Sequence, residues 1–241
     1  MQGFKKFFEE TTFELHNELN PELWDGDTLK GEVREKLLQN ARAWQLFADV
    51  PDEAVLDIHM TGGNANYNYT PYSDIDVHLI IDPKKIPECD EDLIEDHFRD
   101  KKKIWALEHD IKVKGHDVEL YAEPVEKTKN KPKDQGVYSL LSGEWLTKPT
   151  VSPDVPNEEL ISRKTKKMVD LIVSFLENPN PSRESYDGIK DRLKNMRQSG
   201  LSRGGEFDIN NVVFKELRNQ GWLDRMTDHW HKIQDRKLSL N

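Results

Sequence analysis

Two stretches of this chain alternate apolar and polar residues, and a period of two leaves little freedom, because it specifies an extended strand with one apolar and one polar face. In the first, Ala54, Leu56, Ile58 and Met60 alternate with Val55, Asp57 and His59; Thr61-Gly62-Gly63 breaks it. In the second, Ile75, Val77, Leu79 and Ile81 alternate with Asp74, Asp76, His78 and Ile80, and Asp82-Pro83 stops it. A loop rich in Asn and Tyr joins them. The apolar face of such a pair needs a cover, and the flanking sequence offers one. Phe4, Phe7, Phe8, Thr11, Leu15 and Leu19 form the stripe of an amphipathic helix over residues 4–19, ended by Asn20-Pro21. Leu29, Val33, Leu37, Ala41, Trp44 and Ala48 form a second stripe, closed at Pro51 because proline cannot continue the hydrogen-bond ladder.

Residues 91–110 predict a third helix, capped by Asp90, with Ile94, Phe98 and Trp105 on one side and Lys101 to Lys103 on the solvated side. A third strand is expected from Lys112 to Ala122, with Val118, Leu120 and Ala122 on one face, Asp117, Glu119 and Tyr121 on the other, and Pro124 at its end. Residues 126–157 are rich in Lys, Pro, Gly and Ser around an island of Val137, Tyr138, Leu140, Leu141, Trp145 and Leu146, and predict a connector that packs back. Beyond 157 the apolar spacing is helical, with Gly200 and Gly221 expected as helix stops. The division expected is N-terminal helices in 1–53, a core in 54–125, a connector in 126–157 and a helical domain in 158–241.

The chain has 35 % hydrophobic and 33 % charged residues, against a usual ~45–50 % and ~25 %, so much of its helical surface is solvated. Residues 1–125 carry 14 basic and 28 acidic side chains, whereas the remaining 116 residues are net +4. An acidic first half argues against extensive binding of duplex DNA, which needs a basic stripe. No apolar run approaches the ~18–20 residues of a membrane span. Lys5, Lys6, Glu9 and Glu10 interrupt any signal-peptide centre. The single Cys89 excludes an internal disulfide framework and multi-cysteine zinc sites. A reducing, cytoplasmic setting is the expectation.

The strand parity has a chemical consequence: Asp74 and Asp76 point to one face, and Glu119 from a neighbouring strand, ~4.8 Å away if the two pair, joins them. Carboxylates so close either raise a pKa or collect cations. An all-oxygen set favours Mg²⁺ or Mn²⁺, and a two-ion centre suits phosphoryl or nucleotidyl transfer. Gly62-Gly63 would let backbone amides approach a triphosphate.

These residues resemble the DNA polymerase beta-like nucleotidyltransferase superfamily, whose mark is Gly-Gly or Gly-Ser, about ten residues, Asp-x-Asp, then a later carboxylate between apolar residues. Here Thr61-Gly62-Gly63, ten residues, Asp74-Ile75-Asp76 and Val118-Glu119-Leu120 stand in that order, within residues 54–123. The stretch from Gly200 to Gly221 is similar to bacteriophage members, which would place the protein in a host cytoplasm. The resemblance implies an α+β fold, with a small mixed nucleotidyltransferase-type sheet, helices on one face, and a helical C-terminal domain. It also implies that Asp74 and Asp76 bind two Mg²⁺ or Mn²⁺ ions, that Glu119 binds the catalytic one and helps activate the acceptor hydroxyl, and that Gly62, Gly63 and Ser73 line the triphosphate of an NTP. The acceptor, whether an RNA end, a protein or a small molecule, is not specified. Two departures stand out: Gly63 where serine is frequent, and Glu119 where aspartate is commoner. The competing expectations are a nucleotide- or RNA-binding or assembly protein that retains the fold without turnover, and a metal-dependent phosphohydrolase.

Other residues carry weaker chemistry. Asp117 is the reserve third carboxylate. His59 and His78 share the acidic face and serve as hydrogen-bonding residues or as a base. Tyr67, Tyr69 and Tyr72 either stack on a base or pack over the domain. Lys127, Lys129, Lys131 and Lys133 read as a solvated linker rather than an acceptor stripe. His229-Trp230-His231 reads as a packed tryptophan, since positions two apart diverge on a helix. Arg203 with Gly204-Gly205-Glu206 reads as a turn capped by Asp208.

Overall fold

The computed structural model of the chain describes residues 12–13, 15–87, 93–129, 135–150 and 157–240. The fold is α+β, and the chain divides into two compact units, residues 15–151 and residues 152–241 together with 1–14. Phe4, Phe7, Phe8 and Thr11 of the first expected helix, the Asp90 cap, Cys89, Lys131 and Lys133 lie outside the described residues.

The first unit runs through β1 (Trp24–Asp25), β2 (Thr28–Leu29), α1 (Gly31–Phe47), β3 (Val55–Thr61), β4 (Ile75–Ile81), α2 (Ile94–Glu108), β5 (Lys112–Val113), β6 (His116–Pro124), α3 (Val125–Thr128), β7 (Val137–Ser139) and β8 (Glu144–Thr147). Six strands form one mixed sheet in the order β5-β6-β4-β3-β7-β8. Only β4 and β6 pair in parallel within it, because α2 forms the crossover that a parallel pair requires. Ile75, Val77, Leu79 and Ile81 of β4 are fully buried and share one core with Val33, Leu37, Ala41 and Trp44 of α1 and Ile94 and Phe98 of α2. The i, i+4 stripe on α1 thus does what its spacing dictates. The helix stops before Pro51, where Asp49 adopts a left-handed φ of 57° and the Asp49 and Val50 amides bond back to Leu46 and Gln45.

Four expectations about the strands and segments of this unit are corrected. Residues 15–19 are not helical, because the His16 amide bonds the Tyr67 carbonyl and its ring stacks on Tyr69 at 3.8 Å, which holds this segment along the 62–74 loop. The third strand is a hairpin: Lys114 and Gly115, both at positive φ, turn β5 back onto β6. The connector packs back as expected, but it does so as part of the sheet, since β7 pairs with β3 and β8 with β7, and Trp145 stacks on Trp24 at 4.8 Å. Leu56, placed inward by parity, is exposed, because a register irregularity between Val55 and Asp57 shifts the start of β3.

The second unit contains α4 (Glu158–Leu176), α5 (Arg183–Gly204), α6 (Ile209–Asn219) and α7 (Trp222–Leu238). Ile161, Ile172, Val212, Val213, Leu217 and Trp222 are fully or almost fully buried in its own core. Gly200 does not end a helix; α5 continues to Gly204, and Gly200 instead lets α6 approach, since a Cβ there would lie 2.8 Å from the Asn211 nitrogen. Gly221 does follow a helix end, at a φ of 71°, with its amide bonded to the Arg218 carbonyl. Trp230 stacks on Tyr186 at 5.0 Å, and Asp208 caps α6 while pairing with Arg203. Among the described residues, no helix is long and apolar enough to cross a membrane.

Candidate metal centre

Asp76 and Glu119 are direct partners in the parallel register of β4 and β6, and both project from the face opposite the apolar residues. Asp74 precedes β4 and joins them: one carboxylate oxygen from each of Asp74, Asp76 and Glu119 lies within 4.8 Å of the others, and all three residues are half-buried. Asp117 is not part of this group; it pairs with Lys112 at the sheet edge. In an octahedral magnesium shell with bonds of ~2.0–2.1 Å, adjacent ligands stand about 3 Å apart and opposite ones about 4 Å, so the three side chains would have to close further to share one ion.

The Gly62 bend is built around Asp76. Gly62 has φ 79° and ψ −165°, a combination open essentially to glycine alone. A Cβ there would fall 1.8 Å from Asp76 Oδ2, so the carboxylate occupies the space that any side chain at position 62 would need. At position 63 the approach is less close: a Cβ there would stand 2.9 Å from Ser73 Oγ. Ser73 is buried, and its hydroxyl accepts from the Thr70 amide at 2.9 Å, which ties down the end of the loop.

Buried amides, which the sequence reading passed over, position the loop. Asn64 Nδ2 donates to the backbone carbonyls of Ser73 and Asp74, each at 3.0 Å, and its Oδ1 accepts from Asn20 at 2.9 Å. His116 Nδ1 bonds the same Ser73 carbonyl at 2.6 Å, and its Nε2 meets Asn20 Nδ2 at 3.0 Å. Asn66 donates to the Gly62 carbonyl at 2.6 Å and accepts from the Gly136 amide at 2.9 Å. The asparagines at 64 and 66 were the available signal, since short amides in a loop are suited to saturating backbone groups. Of the tyrosines, Tyr69 stacks on His16, Tyr67 packs against the core and Tyr72 is exposed.

Lys102 was expected on a solvated helix face. Instead its Nζ donates to Glu119 Oε2 at 2.6 Å, while Lys101 pairs with Asp49 and Lys103 with Asp100. Lys127, likewise, pairs with Glu95. A cation therefore already sits against one member of the acidic cluster.

The polar face continues away from the cluster. His59 and His78 share the polar face, as strand parity required, and the pairing of β3 with β4 makes them register partners. His78 Nδ1 lies 2.8 Å from Glu123 Oε2, and His59 Nε2 lies 3.1 Å from Asp57 Oδ2. Burial, with the charges of Glu95 and Glu123, holds the Tyr121 phenol above its ordinary range. For Asp57, burial pushes the carboxyl up. Hydrogen bonds from His59, Ser139 Oγ and the Ile58 amide outweigh it and leave the group below its ordinary value of 3.8. A carboxyl lowered on folding adds stability that is full above the unfolded value and fades as pH falls through the folded one. Asp57→Asn should thus lose about 1 kcal/mol in urea unfolding at pH 7, and the gap to the parent should shrink as the pH is taken below 3.8. A gap that widened in acid would contradict this account.

In comparisons with known proteins, no family model, no curated protein and no solved structure matches the chain.

Proposed function

We propose that the first unit is a metal-dependent nucleotidyltransferase, moving a nucleoside monophosphate from an NTP to an acceptor hydroxyl or phosphate with release of pyrophosphate. The observation that carries this reading is the convergence of Asp74, Asp76 and Glu119 within 4.8 Å beside the Gly62 bend. The motif order in the sequence supports it. The donor set consists of oxygens alone, as Mg²⁺ or Mn²⁺ prefers. Asp74 and Asp76 would hold two ions and Glu119 one of them, and ions bound there supply charge against the triphosphate and acidity to the acceptor hydroxyl.

The chain's own contributions follow from their positions. Asp76 and Glu119 project from two hydrogen-bonded strands, so their separation is fixed by the sheet rather than by a mobile loop. Asn64 fixes the backbone of Ser73 and Asp74, and so orients the third carboxylate. Gly62 has no side chain, so backbone can come close to a phosphate. In the reaction, the acceptor oxygen bonds to the α-phosphorus, the bond to the bridging oxygen breaks, pyrophosphate departs and the acceptor proton is lost. Incubation of the protein with labelled NTPs, Mg²⁺ and host lysate tests the reading. Label moving into RNA, protein or a small molecule, with stoichiometric pyrophosphate, supports it; NTP breakdown without an acceptor indicates a phosphohydrolase instead.

Two observations favour a second reading, a nucleotide- or RNA-binding or assembly protein without turnover. Lys102 neutralises Glu119, and Ser73, expected at the triphosphate, has its hydroxyl engaged with Thr70. Under the catalytic reading Lys102 competes with a bound cation for Glu119. Lys102→Gln should then tighten Mg²⁺ binding about fivefold in calorimetry, as expected for losing a partly exposed ion pair worth up to about 1 kcal/mol. Weaker binding in that variant would assign Lys102 a supporting rather than a competing role. Calcium and magnesium promoting NTP binding equally, with no pyrophosphate released, would select the non-catalytic reading.

A further inference from the structure

Helix α5 carries Lys190, Lys194 and Arg197 at spacings of four and three, which sets three cations on one face in successive turns. They border a recess of about 460 Å³ within the helical unit, floored by Phe214 of α6 and by Leu223 and Met226 of α7. Several cations elsewhere in this unit pair with carboxylates: Lys166 with Asp170, Arg183 with Asp187, Arg203 with Asp208 and Lys215 with Glu206. Among the described residues, none of Lys190, Lys194 and Arg197 has a carboxylate partner. Lys190 lies over the Tyr186 ring at 5.3 Å, and Arg197 over the Phe214 ring at 4.9 Å. The stacking brings a guanidinium to the edge of the apolar floor.

Three cationic head groups at the rim of the recess attract an anion to it. An apolar floor beside them selects against a bare inorganic ion. The volume falls within the range of ~300–1,000 Å³ typical of small-molecule sites, and a recess of that size takes one molecule rather than a membrane surface. We propose that this recess binds an alkyl-chain carboxylate, its tail on Phe214, Leu223 and Met226 and its head between Lys194 and Arg197. A guanidinium fork matches a carboxylate in shape, and the flexible side chain of Met226 can adapt to an alkyl chain. This inference goes beyond the proposed transfer reaction and stands on the helical unit alone.

Titration calorimetry of the full chain with dodecanoate, kept below its micellar concentration, tests it, with dodecanol and butanoate as probes of the tail and the charge alone. One dodecanoate should bind per chain, about tenfold or more tighter than either control. The double variant Lys194→Gln, Arg197→Gln changes only exposed side chains and should weaken dodecanoate about tenfold while leaving dodecanol unchanged. Parent-like binding of dodecanoate by the double variant, or equal binding of dodecanoate and butanoate, would overturn the assignment. Association with anionic vesicles but not with the monomeric amphiphile would overturn it as well, in favour of a membrane surface. Asp76→Ala should bind dodecanoate as the parent does, which keeps this test separate from that of the carboxylate cluster; lost binding there would move the ligand to the other unit and sink the proposal.

Discussion

Asp76→Ala should reduce Mg²⁺-dependent pyrophosphate release by about a thousandfold, because the stabilisation an ion supplies to a phosphoryl transition state is several kcal/mol and each 1.36 kcal/mol is tenfold in rate. Asp76 is the central carboxylate: it pairs in register with Glu119, lies two residues from Asp74, and has an oxygen directly over Gly62. Urea unfolding should separate chemistry from folding. In the absence of divalent ions the variant relieves repulsion among three clustered carboxylates, so the midpoint should stay within a few tenths of a molar of the parent, whereas added Mg²⁺ should stabilise the parent and not the variant. Retention of more than about a tenth of the activity would remove Asp76 from the reacting centre and leave the transfer reading without its main support.

Gly62→Ala is the second large effect, and here stability and site fail together. Holding alanine at φ 79° and ψ −165° costs about 1–3 kcal/mol, and its methyl would overlap Asp76 Oδ2. A loss of about 3 kcal/mol or more is expected in urea unfolding, together with loss of Mg²⁺ binding as the carboxylate is displaced. Gly63→Ala provides the contrast. Its Cβ would come closest to the Ser73 hydroxyl, at 2.9 Å, and position 63 lacks the positive φ of its neighbour. It should cost less than half as much. Equal losses at the two positions would mean that the bend, rather than the close approach of Asp76, governs the site.

Much of the carboxylate cluster was legible from the chain because it depends on parity. Once residues 75–81 are a strand, Asp76 must face away from Val77 and toward the side of His78, and the same holds for Glu119 on its own strand. The α1 stripe was legible for the analogous reason at a period of 3.6. What parity cannot supply is pairing. That β4 and β6 run in parallel with Asp76 opposite Glu119 follows from the α2 crossover, a long-range contact with no local signature. Lys102 illustrates this: as part of a run of three lysines it looks solvated, and only the packing of α2 against β6 brings it to Glu119. The two strands inside the connector were missed because β7 and β8 are three and four residues long, too short for a periodic pattern, and gain their stability from the edge of β3.

Alternation and capping chemistry in the chain alone determined which residues form the two central strands, which helices bear an apolar face, and that Asp74, Asp76 and Glu119 stand on the polar side. These are local properties, set by backbone geometry within a few residues. Tertiary structure alone decided that three acids from two strands meet within 4.8 Å, that Asp76 rests on Gly62, and that buried amides of Asn20, Asn64 and Asn66 hold the intervening loop. Those distances depend on strand pairing and on the satisfaction of buried polar groups, both of which are fixed only when segments far apart in the chain come together.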